Sequence, residues 1–315
     1  MSDFQYFVPR LSLKGFTDPL SLGNNKVEPY LWVADINNGI VKKKGLTKIA
    51  GSSNYSDIHS EPYQNEPKCL DNQLTKLENR AAPIIQQIRI NQFQTTLEER
   101  IYLANFIGIQ LGRVPIFRQH IDSNIDNVPL IWLQDYLQNE EKLKQKFGQN
   151  AEWVKEYVLS GKPKVSLKFK NETLRKDFVI SLALNLGLDF GELIFRMQWV
   201  FFLATGDATF FASYNPARLM SNNAKPVKIK FGEMNEELEI SIPISSTCML
   251  WMHSHDIIQN TNIGYNQVLE VENDKVNDFN WRILPTIDKF AFCSTKEQAN
   301  WVIKKVLAGK IISEC

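Results

Sequence analysis

The sequence predicts an α+β fold, with a β-hairpin region at the start, a central helical block, and mostly antiparallel strands before a final helix. Three observations predict it: a hairpin signal near residue 38, helical periodicity that starts near Asp71, and short apolar strand patterns after residue 206. Strands and helices come in blocks and do not alternate, which is typical of the α+β class. We therefore assign residues 1–315 to a single domain with sub-regions 1–68 (β-rich), 69–205 (helical) and 206–315 (β-rich with a C-terminal helix).

The first sub-region is predicted to be ordered from its start. Residues 4–16 are rich in aromatic side chains, which argues against disorder, and Arg10 and Lys14 interrupt their apolar residues, which argues against a secretory signal. Two strand patterns, residues 30–33 and 40–44, then flank Asn37-Asn38-Gly39, a strong signal for a hairpin.

The second sub-region carries the helical patterns. One apolar stripe runs from Leu74 to Ile88, and a second helix opens with the capping box Thr96-Leu97-Glu98-Glu99. Further helices are predicted over 130–160 and 172–204. The most apolar stretch, residues 178–205, contains three charged residues, so we predict a buried helix pair broken near Gly187 and Gly191, and no membrane span.

The third sub-region shows the strand patterns. They cover residues 209–212, 227–230, 238–242, 248–252 and 290–293. A last helix is predicted to begin at Ser294 or Thr295 and to run to about Leu307.

Composition and motifs exclude several classes of protein. The net charge of +1 removes the simplest argument for nucleic-acid binding, a strongly basic chain, although a local basic cleft remains compatible with it. Four scattered cysteines without a C-x-x-C pair indicate reduced thiols and a cytoplasmic protein. The chain has no phosphate loop and no G-x-S-x-G, and Asp189-Phe190-Gly191 lacks the other kinase motifs.

Two groups of polar residues are candidate sites. His253 and His255 alternate after an apolar strand and could share a metal ion, but further ligands at a recognisable spacing are missing, so a polar strand end is the favoured interpretation. Arg113, near a helix end set by Pro115, could stabilise the helix dipole or, with Arg118, bind a phosphate or carboxylate through a two-pronged fork.

Seven segments, taken in order, resemble the signatures of one protein family. Phe4–Phe16 resembles His-Tyr-Val-Pro-Arg-Phe-x-Leu-x-x-Phe, and residues 31–35 resemble Leu-Trp-Val-Tyr-Asp. In the helical block, residues 77–83 resemble Ile-Glu-x-x-Ala-Ala-Pro. Glu78 of that motif is expected to be solvated. Residues 103–118 resemble a Leu-Ala-x-Phe-Ile-Ala-x-Gln-x-x-Arg-Thr-Pro-x-x-Arg signature.

The remaining three segments lie in the last sub-region. Residues 211–216 resemble Ile-Thr-Ser-Asp-Asn-Pro, residues 242–245 resemble Leu-Pro-Leu-Ser, and residues 276–280 resemble Val-x-x-Leu-Asn. Together the seven cover almost the whole chain and resemble the mainly bacterial family called domain of unknown function 4238. The resemblance implies membership as a divergent member, but it brings no established reaction, cofactor or partner.

Two departures from the family pattern shape the functional hypothesis. Tyr6 stands where the family has His, and Tyr214 stands where it has Asp, so a proton-transfer pair is replaced by two groups that are poor bases near neutral pH. These tyrosines are the candidate catalytic residues, with simple core substitution as the other interpretation. The expected ligand-binding residues are the ones that match the family: Arg10, Arg113, Arg118, Asn215 and Asn280.

These residues favour a pocket for phosphate or nucleic acid in a non-catalytic or divergent protein. The alternative is a nuclease-like or phosphodiesterase-like effector of a defence or toxin system. A cofactor is not identified. The expected partner is a phosphate-bearing ligand or nucleic acid, a protein partner is the other expectation, and a membrane is not expected. We further expect at least three of Tyr6, Arg10, Arg113, Arg118 and Tyr214-Asn215 to line one cavity.

Overall fold

The computed structural model describes residues 4–22, 28–47, 49–59, 65–129, 137, 140–160, 167–221, 238–254 and 266–313. The helices are α1 (Arg10–Leu13), α2 (Pro19–Leu22), α3 (Cys69–Arg89), α4 (Leu97–Arg113), α5 (Pro115–Ser123), α6 (Glu140–Phe147), α7 (Ala151–Leu159), α8 (Glu172–Arg196), α9 (Asn273–Ile283) and α10 (Lys296–Ser313). The strands are β1 (Phe4–Tyr6), β2 (Tyr30–Asp35), β3 (Ile40–Gly45), β4 (Gly51–Ser53), β5 (Gln198–Ala204), β6 (Ala212–Ser213), β7 (Arg218–Ser221), β8 (Leu238–Ser245), β9 (Cys248–His253), β10 (Gln267–Val271) and β11 (Phe290–Cys293).

The strands form three sheets, and the architecture is the predicted α+β arrangement. A five-stranded sheet has the order β10-β5-β9-β8-β7, a four-stranded sheet has the order β3-β2-β11-β6, and β1 pairs with β4. All pairs are antiparallel except β10 with β5. Because β11 pairs with β2, strands from the first and last sub-regions share one sheet.

The hairpin was predicted correctly. Asp35 pairs with Ile40 at the end of the β2–β3 ladder, and the loop between them closes at Gly39, whose φ of +64° favours glycine. The capping box is also present: the Thr96 side chain accepts from the Glu99 backbone N–H, and the Glu99 carboxylate accepts from the Thr96 N–H. Both features depend on residues close in sequence, which is why the pattern alone identified them.

The helix predicted over 172–204 was too long at its C-terminal end. Helix α8 stops at Arg196, and residues 198–204 form β5, which lies between β9 and β10 in the five-stranded sheet. A strand buried on both faces reads as a continuous apolar run, and such a run cannot be told from a buried helix by periodicity. The strand predicted at 209–212 is confined to Ala212–Ser213, and the one predicted at 227–230 lies outside the described residues.

The predicted helix break at Gly187 and Gly191 was wrong, because α8 runs through both positions. These glycines instead lie where α4 crosses α8. A Cβ atom on Gly108 of α4 would lie 2.2 Å from the Gly187 carbonyl oxygen, and one on Gly112 would lie 2.2 Å from the Ala183 carbonyl oxygen. The backbones of α4 and α8 are therefore in direct contact.

Helix α8 is the described helix that is long and apolar enough to cross a membrane. Its most apolar 18-residue window has a mean hydropathy of 1.7, and 44% of that window is buried inside the protein. Its buried side chains Val179, Ala183, Phe190 and Ile194 belong to the main apolar core, which α8 shares with α3, α4, α5 and the five-stranded sheet. This packing accounts for the apolar composition of the stretch.

A second apolar core and a smaller third one lie beside the main core. The second joins β5, β11, α9 and α10. The third contains Phe7, Val8, Leu13 and Phe16 from the first residues of the chain, together with Leu31 and Phe292 from the four-stranded sheet. The aromatic N-terminal segment is thus part of the folded protein, and its Phe7 ring faces the candidate site.

Candidate anion-binding site

Arg118 is a buried arginine without a carboxylate partner among the described residues. Pro115 begins α5, so Arg118 lies in the first turn of that helix, and it is 8% exposed. Its Nη1 donates a hydrogen bond of 2.8 Å to the Tyr55 carbonyl oxygen, and its guanidinium lies 4.0 Å from the centre of the Tyr55 ring. Its Nε and Nη2 meet no acceptor within the described structure.

Burial lowers the pKa of Arg118 to about 10, and the nearby Arg113 acts in the same direction, while Tyr55 opposes them. The group is still a cation at neutral pH. A buried cation whose donors are only partly satisfied is costly, so an anion that contacts this side chain would supply both the acceptors and the countercharge that it lacks.

Arg113, the last residue of α4, forms an ion pair with Glu78 of α3. Its Nη1 lies 2.5 Å from Glu78 Oε1, while its Nε has no acceptor among the residues described. The expectation that Glu78 is simply solvated was wrong, since its side chain is only 23% exposed and neutralises a fully buried arginine. The pair therefore joins two of the segments that resemble family motifs.

Tyr55 lies between the two arginines. Its hydroxyl donates a hydrogen bond of 2.9 Å to the Arg113 carbonyl oxygen, and its ring and carbonyl group contact Arg118. Burial raises the pKa of Tyr55, an effect that Arg118 and Arg113 partly oppose. The hydroxyl therefore stays protonated and holds the loop after β4 against the ends of α4 and α5.

Ser56, the next residue, is held by the N-terminal segment. Its backbone N–H donates a 2.5 Å hydrogen bond to Gln5 Oε1, and Gln5 Nε2 donates a 2.6 Å hydrogen bond to Asp57 Oδ1. Gln5, Ser56 and Asp57 are all buried. The Ser56 hydroxyl has no partner in the described part of the chain, so it remains able to donate to a ligand.

Gln110 is fully buried and lies three residues before Arg113, on the same face of α4. Neither its Nε2 nor its Oε1 meets a hydrogen-bond partner among the described residues. Most buried side-chain amides in proteins are hydrogen-bonded, so a fully buried glutamine of this kind calls for an explanation.

A cavity of about 310 Å³ opens beside Arg118. Its walls come from the loop after β4, from α5 and from the first half of α8. The lining residues are Ser52, Ser53, Asn54, Tyr55, Arg118, Gln119, Asp122, Glu172, Lys176, Val179 and Ile180. Asp122 is already paired with Arg175, whose Nε lies 2.8 Å from Asp122 Oδ1.

The other predicted residues of the N-terminal segment lie at its surface. Tyr6 is half-buried at the end of β1, where its ring packs edge-on against Phe4. Arg10 is the exposed first residue of α1. Arg118 lines the described cavity and Arg113 is its neighbour, whereas the convergence of three or more predicted residues in one cavity stays a prediction.

Tyr214 is connected to the site through aromatic contacts. Its ring lies 4.8 Å from that of Phe7, which in turn lies 5.2 Å from that of Tyr55. Burial, with smaller effects of Asp288 and Asp35, raises the pKa of Tyr214 to about 12. Its hydroxyl is therefore a hydrogen-bond donor at neutral pH and a poor base.

The two asparagines have other surroundings. The backbone N–H of Asn215 donates to the Ser213 hydroxyl, which in turn donates to the Asn215 carbonyl oxygen, so this contact shapes a turn. Asn280 is buried on α9, where its Nδ2 donates a 2.8 Å hydrogen bond to the Thr209 carbonyl oxygen beside the second core. No described contact links Asn280 to Arg113 or Arg118.

The histidine pair can be described only at its first member. The His253 ring stacks on Trp251, with their centres 4.4 Å apart, and His255 lies outside the described residues. Within the described ranges, no three His, Cys, Asp or Glu side chains are placed to hold a metal ion.

Sequence reasoning found the two arginines but missed most of their neighbours. Tyr55 and Ser56 lie in a polar stretch that carried no motif, and Gln5 comes one residue before Tyr6, the position where the family has His. Gln110 was part of a quoted motif without being singled out. The signal that could have found Glu78 and Gln110 was their polar character inside otherwise apolar helix faces.

The chain belongs to the family described as "Protein of unknown function (DUF4238)", whose model matches residues 5–297. The match includes Arg113 and Arg118, the four-stranded sheet and the beginning of α10. No curated protein and no solved structure matches the chain.

Proposed function

We propose that this protein binds a small ligand through one anionic group, phosphate or carboxylate, at Arg118, and that it does so without catalysing a reaction. The observation that carries the proposal is the buried guanidinium of Arg118, which lines a cavity and has two donor nitrogens without a described acceptor. An anion supplies both the missing charge and the missing acceptors.

The size and charge of the cavity favour a small molecule over nucleic acid. A volume of about 310 Å³ is at the lower end of the range for small-molecule sites. Two carboxylates, Asp122 and Glu172, line it together with the cations Arg118 and Lys176. A polyanion such as nucleic acid would meet the carboxylates at close range, whereas one anionic group can be bound at Arg118 alone.

The chemistry of Tyr214 supports the non-catalytic interpretation. A hydroxyl with a pKa of about 12 is a poor general base at neutral pH, so the position where the family has Asp cannot readily accept a proton here. A bacterial and cytoplasmic setting and a role in defence stay predictions that follow from the sequence.

We expect Arg118→Met to weaken the binding of inorganic phosphate at least tenfold, because the substitution removes the positive charge and the paired N–H donors of the guanidinium. Isothermal titration calorimetry at low and moderate salt measures this directly, and affinity of the wild type should fall as salt rises. The matched control is Arg80→Met, since Arg80 is exposed on α3 and its guanidinium is far from full burial. That control should bind phosphate like the wild type.

The result that would overturn the proposal is equal phosphate binding by the wild type and Arg118→Met, or none by either. Turnover of a phosphodiester by the wild type would instead support the alternative, a phosphodiesterase-like protein. That assay uses single-stranded RNA and DNA, with Tyr6→Phe and Tyr214→Phe as variants that should lose any activity carried by the hydroxyls.

A further inference from the structure

The anionic group can be specified further if the proposed function holds. We propose that it is a phosphate, bound by Arg118 together with three further hydrogen-bond donors. These are Gln110 Nε2, Arg113 Nε and Ser56 Oγ, which we call the inner donors. All three side chains are more than nine-tenths buried, and these atoms have no partner within the described structure. The ligand is then a phosphomonoester or phosphate itself, and not a carboxylic acid.

The first argument is the imbalance between donors and acceptors. In the side chains of Arg118, Arg113, Gln110 and Ser56, the polar atoms without a described partner are four nitrogens (Arg118 Nε and Nη2, Arg113 Nε and Gln110 Nε2), the Ser56 hydroxyl and one carbonyl oxygen, Gln110 Oε1. Guanidinium and amide nitrogens can only donate. Donors in such excess require a group that only accepts, which is the property of an ionised oxyanion.

The second argument is that two of these groups contact one residue, Tyr55, and that the other two lie next to them along the chain or along the helix. Tyr55 binds Arg118 through its carbonyl oxygen and Arg113 through its hydroxyl, and Ser56 follows it in the chain. Gln110 lies one turn before Arg113 on the same face of α4. Gln5 fixes the Ser56 backbone, so the Ser56 hydroxyl has a defined position.

The third argument is the orientation of Arg118. Its Nη1 is occupied by the Tyr55 carbonyl oxygen and one face is covered by the Tyr55 ring, so the edge formed by Nε and Nη2 is the one that remains. Two N–H groups on one edge of a guanidinium match two oxygens of a carboxylate or a phosphate. Both nitrogens are shielded from solvent, so neighbouring side chains must move before an anion can reach this edge.

The inner donors distinguish phosphate from carboxylate. A carboxylate has two oxygens, which the Arg118 edge satisfies alone, so the inner donors would remain without acceptors and keep their energetic cost. A phosphate has further oxygens that can accept from Gln110, Arg113 and Ser56. The wild type should therefore bind phosphate more tightly than carboxylate, and the difference should depend on the inner donors.

The test compares inorganic phosphate and acetate by calorimetry for the wild type, Gln110→Met and Gln110→Glu. We expect the wild type to bind phosphate at least tenfold more tightly than acetate. Gln110→Met, nearly equal in volume, should lose about tenfold in phosphate affinity, the value of one hydrogen bond to a charged group, and stay within about twofold for acetate. Gln110→Glu should lose phosphate binding through repulsion, while its carboxylate can pair with the buried arginines.

Acetate binding equal to phosphate binding in the wild type would overturn the inference and leave the proposed function intact, as long as both depend on Arg118. Unchanged phosphate affinity in both Gln110 variants would overturn it as well. Binding of either anion that ignores Arg118→Met would instead remove the proposed function. Thermal unfolding without ligand checks that each variant is folded. If Gln110→Met does not fold, the comparison with the wild type uses Gln110→Glu.

Discussion

Replacing Gly108 with alanine should destabilise the protein by about 3 kcal/mol or more, at the upper end of the usual cost of overpacking. A Cβ atom at this position would lie 2.2 Å from the Gly187 carbonyl oxygen and 2.5 Å from the Gly191 backbone nitrogen. These atoms belong to the backbone of α8 and cannot rotate away, so the two helices must separate. Chemical denaturation followed by circular dichroism measures the loss.

The control for this change is Gly309→Ala. Gly309 is an exposed residue of α10, and a Cβ atom there would meet nothing within 4 Å. Alanine at an open helical position stabilises by about 0.5–1 kcal/mol relative to glycine. Opposite signs for the two variants are therefore expected, and a Gly108→Ala protein as stable as the wild type would show that α4 and α8 are not in direct backbone contact.

Replacing Glu78 with leucine should cost about 3–5 kcal/mol, since it leaves the charge of Arg113 buried without its partner. Arg113 is 2% exposed, and its ion pair with Glu78 is the described contact that neutralises it. In the protein that stays folded, phosphate binding should become tighter, because the negative charge of Glu78 no longer neutralises Arg113, one of the inner donors.

A double variant separates the pair from the individual side chains. Glu78→Leu combined with Arg113→Met removes both charges, and replacing a buried ion pair by apolar residues of similar volume is often neutral or stabilising. The double variant should therefore be more stable than Glu78→Leu alone, as measured by urea denaturation. If the two single effects simply add, the ion pair contributes nothing and Glu78 acts through packing.

Elements set by neighbouring residues could be predicted from the sequence, and elements set by distant contacts could not. The Asn-Asn-Gly hairpin and the Thr96 capping box depend on local geometry, and both are present. Strand β5 was assigned to a helix because its apolar run carries no periodicity, and only its position between β9 and β10 makes it a strand. Likewise, Gly187 was taken for a helix breaker, because its close contact with α4 involves residues distant in the sequence.

The site follows the same rule. One family-like motif contains both Arg113 and Arg118, and the structure places the two side chains near each other. Their partners Glu78 and Tyr55 are 35 and 63 residues away from them, and no local pattern pairs residues at that distance. The sequence thus identified the two arginines. It did not show that Glu78 neutralises Arg113 or that Tyr55 orients Arg118.

The position of β11 between β2 and β6 also bears on how the chain is made. Strand β2 ends at Asp35, whereas its partner strand begins at Phe290, so β2 must wait for almost the entire remaining chain to leave the ribosome. At about 5–20 residues per second this delay amounts to roughly 10–50 s. During that time one edge of β2 has no strand partner, and an unpaired strand edge is prone to pair with other chains.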